Sequence, residues 1–142
     1  MSTHTEPKIL DAGDAALVIE FGDGIDAAIN GRVLALDAAV RAIGIAGLVE
    51  TVPTYRSLMV QVEPLVFDYE GFVMQVKELL ATLDARTVHG QRWRVPVVYG
   101  GEFGIDLDAV AGRHGLTPAQ VIDIHAGAVY RVYMIGFMPG YT

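Results

Sequence analysis

Cysteine is missing altogether from this chain. Without thiols there is no disulfide framework and no thiolate metal site. Positive charge is scarce. Ten Lys and Arg residues stand against 17 Asp and Glu, a net charge of −7. Nucleic-acid phosphates and anionic lipid surfaces both call for a basic face, so neither partner is expected. No apolar run approaches the length of a membrane span, and the opening residues MSTHTEPK hold no hydrophobic segment of a secretory signal. Charged residues make up only 19% of the chain while 52% are hydrophobic, which supplies a core and excludes wholesale disorder. The expectation is a soluble, cytoplasmic, acidic globular protein.

Periodicity organises the first part. Residues 1–8 are polar and are expected to fray. In residues 15–21 (AALVIEF), Leu17, Ile19 and Phe21 alternate with Ala16, Val18 and Glu20, the signature of a strand. Residues 26–43 place Ile29, Val33, Leu36, Val40 and Ile43 at steps of three and four, an amphipathic helix that Gly44 ends. Two strands follow, over 48–53 and 57–63, with a turn at Pro53–Arg56. A second helix over 69–83 carries Phe72, Val76, Leu79, Leu80 and Leu83 on one face, and residues 91–98 (QRWRVPVV) read as a strand that Pro96 confines to an edge or an end. The order β-α-β-β-α-β predicts an α+β domain of ferredoxin-like type over residues 1–90.

Beyond Gly100–Gly101 the pattern changes. Asp106 is placed to cap a helix over 107–113 that ends at Gly115, and Thr117–Gln120 forms a capping box with Pro118 at the first helical position of a helix over 118–126. Residues 129–135 (VYRVYMI) alternate as a strand and run into Gly136–Gly140, whose Pro139–Gly140 pair signals a turn. Residues 91–142 therefore open a second domain.

Several features carry chemistry, each with a plainer alternative. The helix–turn–helix outline at 107–126 is poor in positive charge: between Ile105 and Gly127 stand three aspartates and one basic residue, Arg113, which excludes a recognition helix. The segment Gly100-Gly-Glu-Phe-Gly104 lacks the Gly-Lys-Ser/Thr of a P-loop and the spacing of a dinucleotide fingerprint. Its amides could form an anion nest, but the residues alone favour a tight turn needing positive φ. His125, near a helix C-terminus, is an acid–base candidate or a surface cap. His4, His89 and His114 have no ligand spacing with it, so no metal site is expected. Tyr55–Arg56 is a carboxylate-binding pair or ordinary turn composition. Tyr130, Arg131, Tyr133, Phe137 and Tyr141 form an aromatic stretch suited to core, interface or ligand floor. No Ser/His/Asp nucleophile set can be assembled.

Asp11-x-Gly-Asp14, Val52-Pro-Thr-Tyr-Arg-Ser57, Pro96-Val-Val-Tyr-Gly-Gly-Glu-Phe-Gly104, Ile124-His125 and Tyr130–Gly140 (YRVYMIGFMPG), taken in order, resemble one family over nearly the whole chain. It is the allophanate hydrolase subunit 1 family, also described as the B component of bacterial 5-oxoprolinase or the carboxyltransferase C/D-subdomain family. It includes the sporulation histidine-kinase inhibitor. The resemblance implies that a cyclophilin-like β-barrel starts near the Pro-x-x-Tyr-Gly-Gly segment. Members run on well past the Gly-Phe-x-Pro-Gly segment, so here an incomplete barrel is expected, as a fragment or with its remainder on another chain.

The resemblance further implies a non-autonomous subunit of an ATP-dependent amide-hydrolysing complex, most simply 5-oxoprolinase, which converts 5-oxoproline to glutamate, or an allophanate hydrolase-like assembly. A C-type subunit would be its partner, a third subunit would complete ring opening, and ATP would be shared with the partner. Alternatives within the family are a non-catalytic inhibitor of a sensor histidine kinase and a component of a biotin-dependent urea carboxyltransferase. The shared demand is polarisation of a small amide or urea carbonyl. Carried onto this sequence, His125 and Glu102 become the catalytic candidates. Arg56, Tyr55, Gly100, Gly101 and Gly104 become substrate or anion binders, and Tyr130, Gly136, Phe137 and Pro139 shape a pocket or interface. Unpaired barrel edges would also favour self-association into a homo-oligomer.

Overall fold

A computed structural model describes residues 3–83 and 90–136. It divides into two compact units. One contains the residues up to His89 together with those from Tyr133 onward, and the other is Gly90–Val132.

The first unit is an α+β sandwich, as expected, but its strands are recruited differently. The order is β1 (Thr3–Asp11), β2 (Ala16–Gly22), α1 (Ala27–Ile43), β3 (Leu48–Pro53), β4 (Ser57–Val62) and α2 (Tyr69–Thr82). The strands form one antiparallel sheet in the order β1-β2-β4-β3. The fourth strand is therefore not 91–98 but the N-terminal segment expected to fray. It hairpins onto β2 through residues 12–15, with Ile9 opposite Ile19 and Asp11 opposite Leu17. Its register shifts between Thr3 and Lys8. Pro7 falls within that interval, and at a sheet edge the missing N–H of a proline costs no ladder bond.

Alternation in β2 and β4 fills one side of the sheet. Leu17, Ile19 and Phe21 join Leu58, Val60 and Val62 in a single core with Ile29, Val33, Leu36 and Val40 of α1 and Phe72 and Val76 of α2. Each such side chain, fully buried, contributes about 1.5–3 kcal/mol. Ile43, expected on the same stripe, is exposed in the last turn. Asp26 caps α1 by accepting from the amides of Ala28 and Ile29 at 2.7 and 3.0 Å, and Gly44 ends it at φ 68°. Thr51, buried in β3, is satisfied by α1: its hydroxyl donates to Asp37 at 2.5 Å and accepts from Arg41 Nε at 2.8 Å.

The second unit holds a short 3-10 turn (Gly101–Phe103), α3 (Leu107–His114) and α4 (Pro118–Gly127). Gly115 ends α3 at φ 66°. Asp106 makes no side-chain cap, contrary to expectation, and the turn is held by Leu107 N donating to Gly104 O at 3.2 Å. Residues 91–98 and 129–135 form neither helix nor strand and belong to no sheet. Their alternation is strand-like, yet a strand exists only where a neighbour completes its hydrogen bonds, and the described residues supply none. Ala111 is the one buried residue described between Gly90 and Val132.

Candidate functional site

α4 positions the candidate histidine. Both halves of the capping box form: Thr117 Oγ1 accepts from the Gln120 amide at 3.3 Å, and Gln120 Oε1 accepts from the Thr117 amide at 2.8 Å. With its start fixed, the helix carries His125 in its last turn. Two tyrosines meet it there. The Tyr99 hydroxyl lies 2.5 Å from His125 Nδ1, with the two rings edge-on at 81° and 5.7 Å between centroids. The Tyr130 ring is tilted at 45° and 5.5 Å, and its hydroxyl donates to the His125 carbonyl oxygen at 3.3 Å. That bond satisfies one of the carbonyls a helix leaves open at its C-terminus.

Tyr99 leads directly into the glycine loop. Gly100 and Gly101 have φ of 79° and 57°, the left-handed region that glycine enters without strain. Gly104 closes the loop: a Cβ there would sit 2.5 Å from Gly100 N. Positive φ and close approach thus explain the glycines at 100, 101 and 104 as backbone requirements. Glu102 is exposed on the 3-10 turn, and no ion pair joins it to His125. The loop has one carboxylate and no cation, and Asp106 and Asp108 follow it. That composition does not fit a triphosphate. Among the described residues no group of three or more His, Asp or Glu is arranged to hold a metal.

Arg56 belongs to the first unit and is engaged there. Its Nη1 donates to the Gly22 carbonyl at 3.2 Å and lies 3.7 Å from Glu20 and 3.9 Å from Asp23. Its guanidinium stacks 5.8 Å from the Tyr55 ring centroid. Two carboxylates already face this cation, so its place is to tie the β3–β4 turn to the end of β2. The Asp11–Asp14 motif forms the β1–β2 turn, where Gly13 takes φ 73°. A shallow cavity of about 140 Å³ lies there, lined by Asp11, Asp14, Leu17, Phe67 and Tyr69 among others. Gly136 is exposed, while Phe137 and Pro139 lie outside the described residues.

Tyr99 is the member of the cluster that the sequence concealed. It sits 26 residues from His125, with no periodic relation to it. The available signals were its position immediately before a Gly-Gly turn and its place in the Pro-x-x-Tyr-Gly-Gly segment.

The carboxyltransferase domain model, subdomains C and D, matches residues 7–142. The chain belongs to this family. It is 36% identical to the B component of 5-oxoprolinase from Bacillus subtilis (strain 168), over 94% of this chain and 60% of that protein. It is 30% identical to the protein of the same name from Escherichia coli O157:H7, over 91% of this chain and 58% of that one. Among solved structures, TTHA0988 matches with a TM-score of 0.70 at 33% identity, over 88% of this chain and 24% of that one. The chain thus spans about 60% of the length of the Bacillus relative. No helix among the described residues is long and apolar enough to cross a membrane.

Proposed function

We propose that this chain is a B-type component of a 5-oxoprolinase-like complex and contributes donors that polarise a small cyclic amide. The observation that carries the reading is the junction of Tyr99, His125 and Tyr130 at the mouth of the Gly100–Gly104 loop. The two relatives named as 5-oxoprolinase components support the substrate class. Opening a lactam places negative charge on its carbonyl oxygen, and N–H donors aimed at that oxygen lower the barrier. In this reading the imidazole of His125 and the loop amides supply such donors, and Glu102 is the carboxylate within the loop. ATP is assigned to the assembly with a C-type subunit, because the loop alone does not fit a triphosphate. A third subunit completes ring opening in this scheme.

The test is co-expression with a C-type subunit and an assay of ATP-dependent loss of 5-oxoproline. The isolated chain is expected to be inactive and the complex active. His125→Ala is expected to lower turnover of the complex by about 10²-fold, the scale of a positioned proton-bearing group. Turnover by the isolated chain, or a complex indifferent to His125→Ala, would sink the reading.

A further inference from the structure

We infer that Tyr99 is a positioning residue that fixes the tautomer of His125, so that Nε2 carries the ring proton and faces substrate as a donor rather than a base. This rests on the reading of His125 given above and narrows its ligand to a group with a carbonyl oxygen acceptor. A neutral imidazole has one donor nitrogen and one acceptor nitrogen, and the hydrogen bond made by one decides the state of the other. Nδ1 faces the Tyr99 hydroxyl at 2.5 Å. Of the two heteroatoms, the phenol oxygen carries the proton more readily into the bond and the imidazole nitrogen is the better acceptor. The hydroxyl therefore donates, Nδ1 is bare, and the ring proton lies on Nε2. Nε2 has no hydrogen-bond partner among the described residues.

The surroundings serve the same end. The edge-on Tyr99 contact and the tilted Tyr130 ring restrict how the imidazole turns. The Tyr130 hydroxyl engages the backbone carbonyl of His125, not its ring, so it has no say in the tautomer. Tyr99 is also bonded through one peptide to Gly100, so the residue that orients the imidazole opens the loop whose amides are the other candidate donors. An Nε2–H and a backbone N–H both stabilise charge developing on a carbonyl oxygen. A bare Nε2 would repel that oxygen.

The measurement is long-range proton–nitrogen NMR of the imidazole on the full chain, at about pH 8.5, where a histidine ring is ordinarily neutral. His125→Gln identifies the signal. The wild-type ring is expected to hold its proton on Nε2. Tyr99→Phe keeps the aromatic ring and removes only the hydroxyl, and should raise the population protonated on Nδ1 several-fold. Tyr130→Phe should leave the proton on Nε2. In the active complex, Tyr99→Phe should lower kcat roughly tenfold, the loss of one good hydrogen bond, with KM unchanged. An unchanged tautomer in Tyr99→Phe, or an equal change in Tyr130→Phe, overturns the inference alone. A shifted tautomer with unchanged kcat overturns the catalytic reading of the site and the donor role with it.

Discussion

At the scale of single residues, a polar group's neighbours decide its task. Tyr69 opens α2 and donates its hydroxyl to Asp11 Oδ1, at the end of β1, at 2.9 Å. This hydrogen bond, with a contribution from burial and from the carboxylate's charge, raises the phenol above its ordinary value of 10.0. The folded chain then holds the proton more tightly than the unfolded chain does. The stabilisation is complete below about pH 10 and is lost as pH rises from there through the folded value. Tyr69→Phe is expected to flatten the alkaline limb of a urea-unfolding series and, at a surface site, to cost under about 1 kcal/mol near neutrality. A slope unchanged by the substitution would remove this account. Arg56 teaches the same lesson. Its type in a turn suggests anion binding, but Glu20 and Asp23, distant in sequence, face the cation. His125 and the loop glycines could be singled out by type and position, whereas the Tyr99 contact depends on a fold that brings positions 99 and 125 together.

At the scale of elements, most segments were legible and the N-terminal strand was not. α1, α2, α4, β2 and β4 lie within a residue or so of their expected bounds because each carries an apolar stripe or a cap that acts locally. β1 escaped because Thr3–Asp11 (THTEPKILD) is largely polar with little alternation, whereas β3, the other edge strand, lies at its expected 48–53. Residues 91–98 misled for the opposite reason, since they have the composition of a strand without a described partner. Between elements, Asn30 makes a connection that no local pattern announces. Buried on α1, its Nδ2 donates to Thr54 O in the β3–β4 turn at 3.3 Å and to Tyr133 O at 3.4 Å. Asn30→Ala would remove the donor that reaches both carbonyls and is expected to cost about 1 kcal/mol. Asn30→Asp should cost more, because a buried carboxylate would face two carbonyl oxygens. Chemical denaturation of both variants checks the order, and equal stability of Asn30→Asp and wild type would refute the link.

At the scale of the molecule, the two units are held by different means. The first has a shared core from four elements. The second has α3, α4 and their caps, while Trp93, Val95, Val98, Ile105, Val129 and Val132 stand exposed. Apolar area left in water supplies no driving force for folding, and stretches without sheet partners leave backbone groups to the solvent. Hydrogen exchange on the isolated chain should therefore separate the units. Amides of β2, β4 and α1 are expected to be the slowest, and those of 91–98 and 129–132 to exchange at nearly the rate of free peptide. Adding a C-type subunit should slow exchange in 91–98 and 129–132 if the exposed stretches are where assembly completes the second unit. Protection of these stretches in the chain alone, falling away on dilution, would instead identify a second copy of the chain as the partner that pairs with them. The two outcomes differ in concentration dependence, so one dilution series read by exchange and light scattering decides between hetero-assembly and self-association.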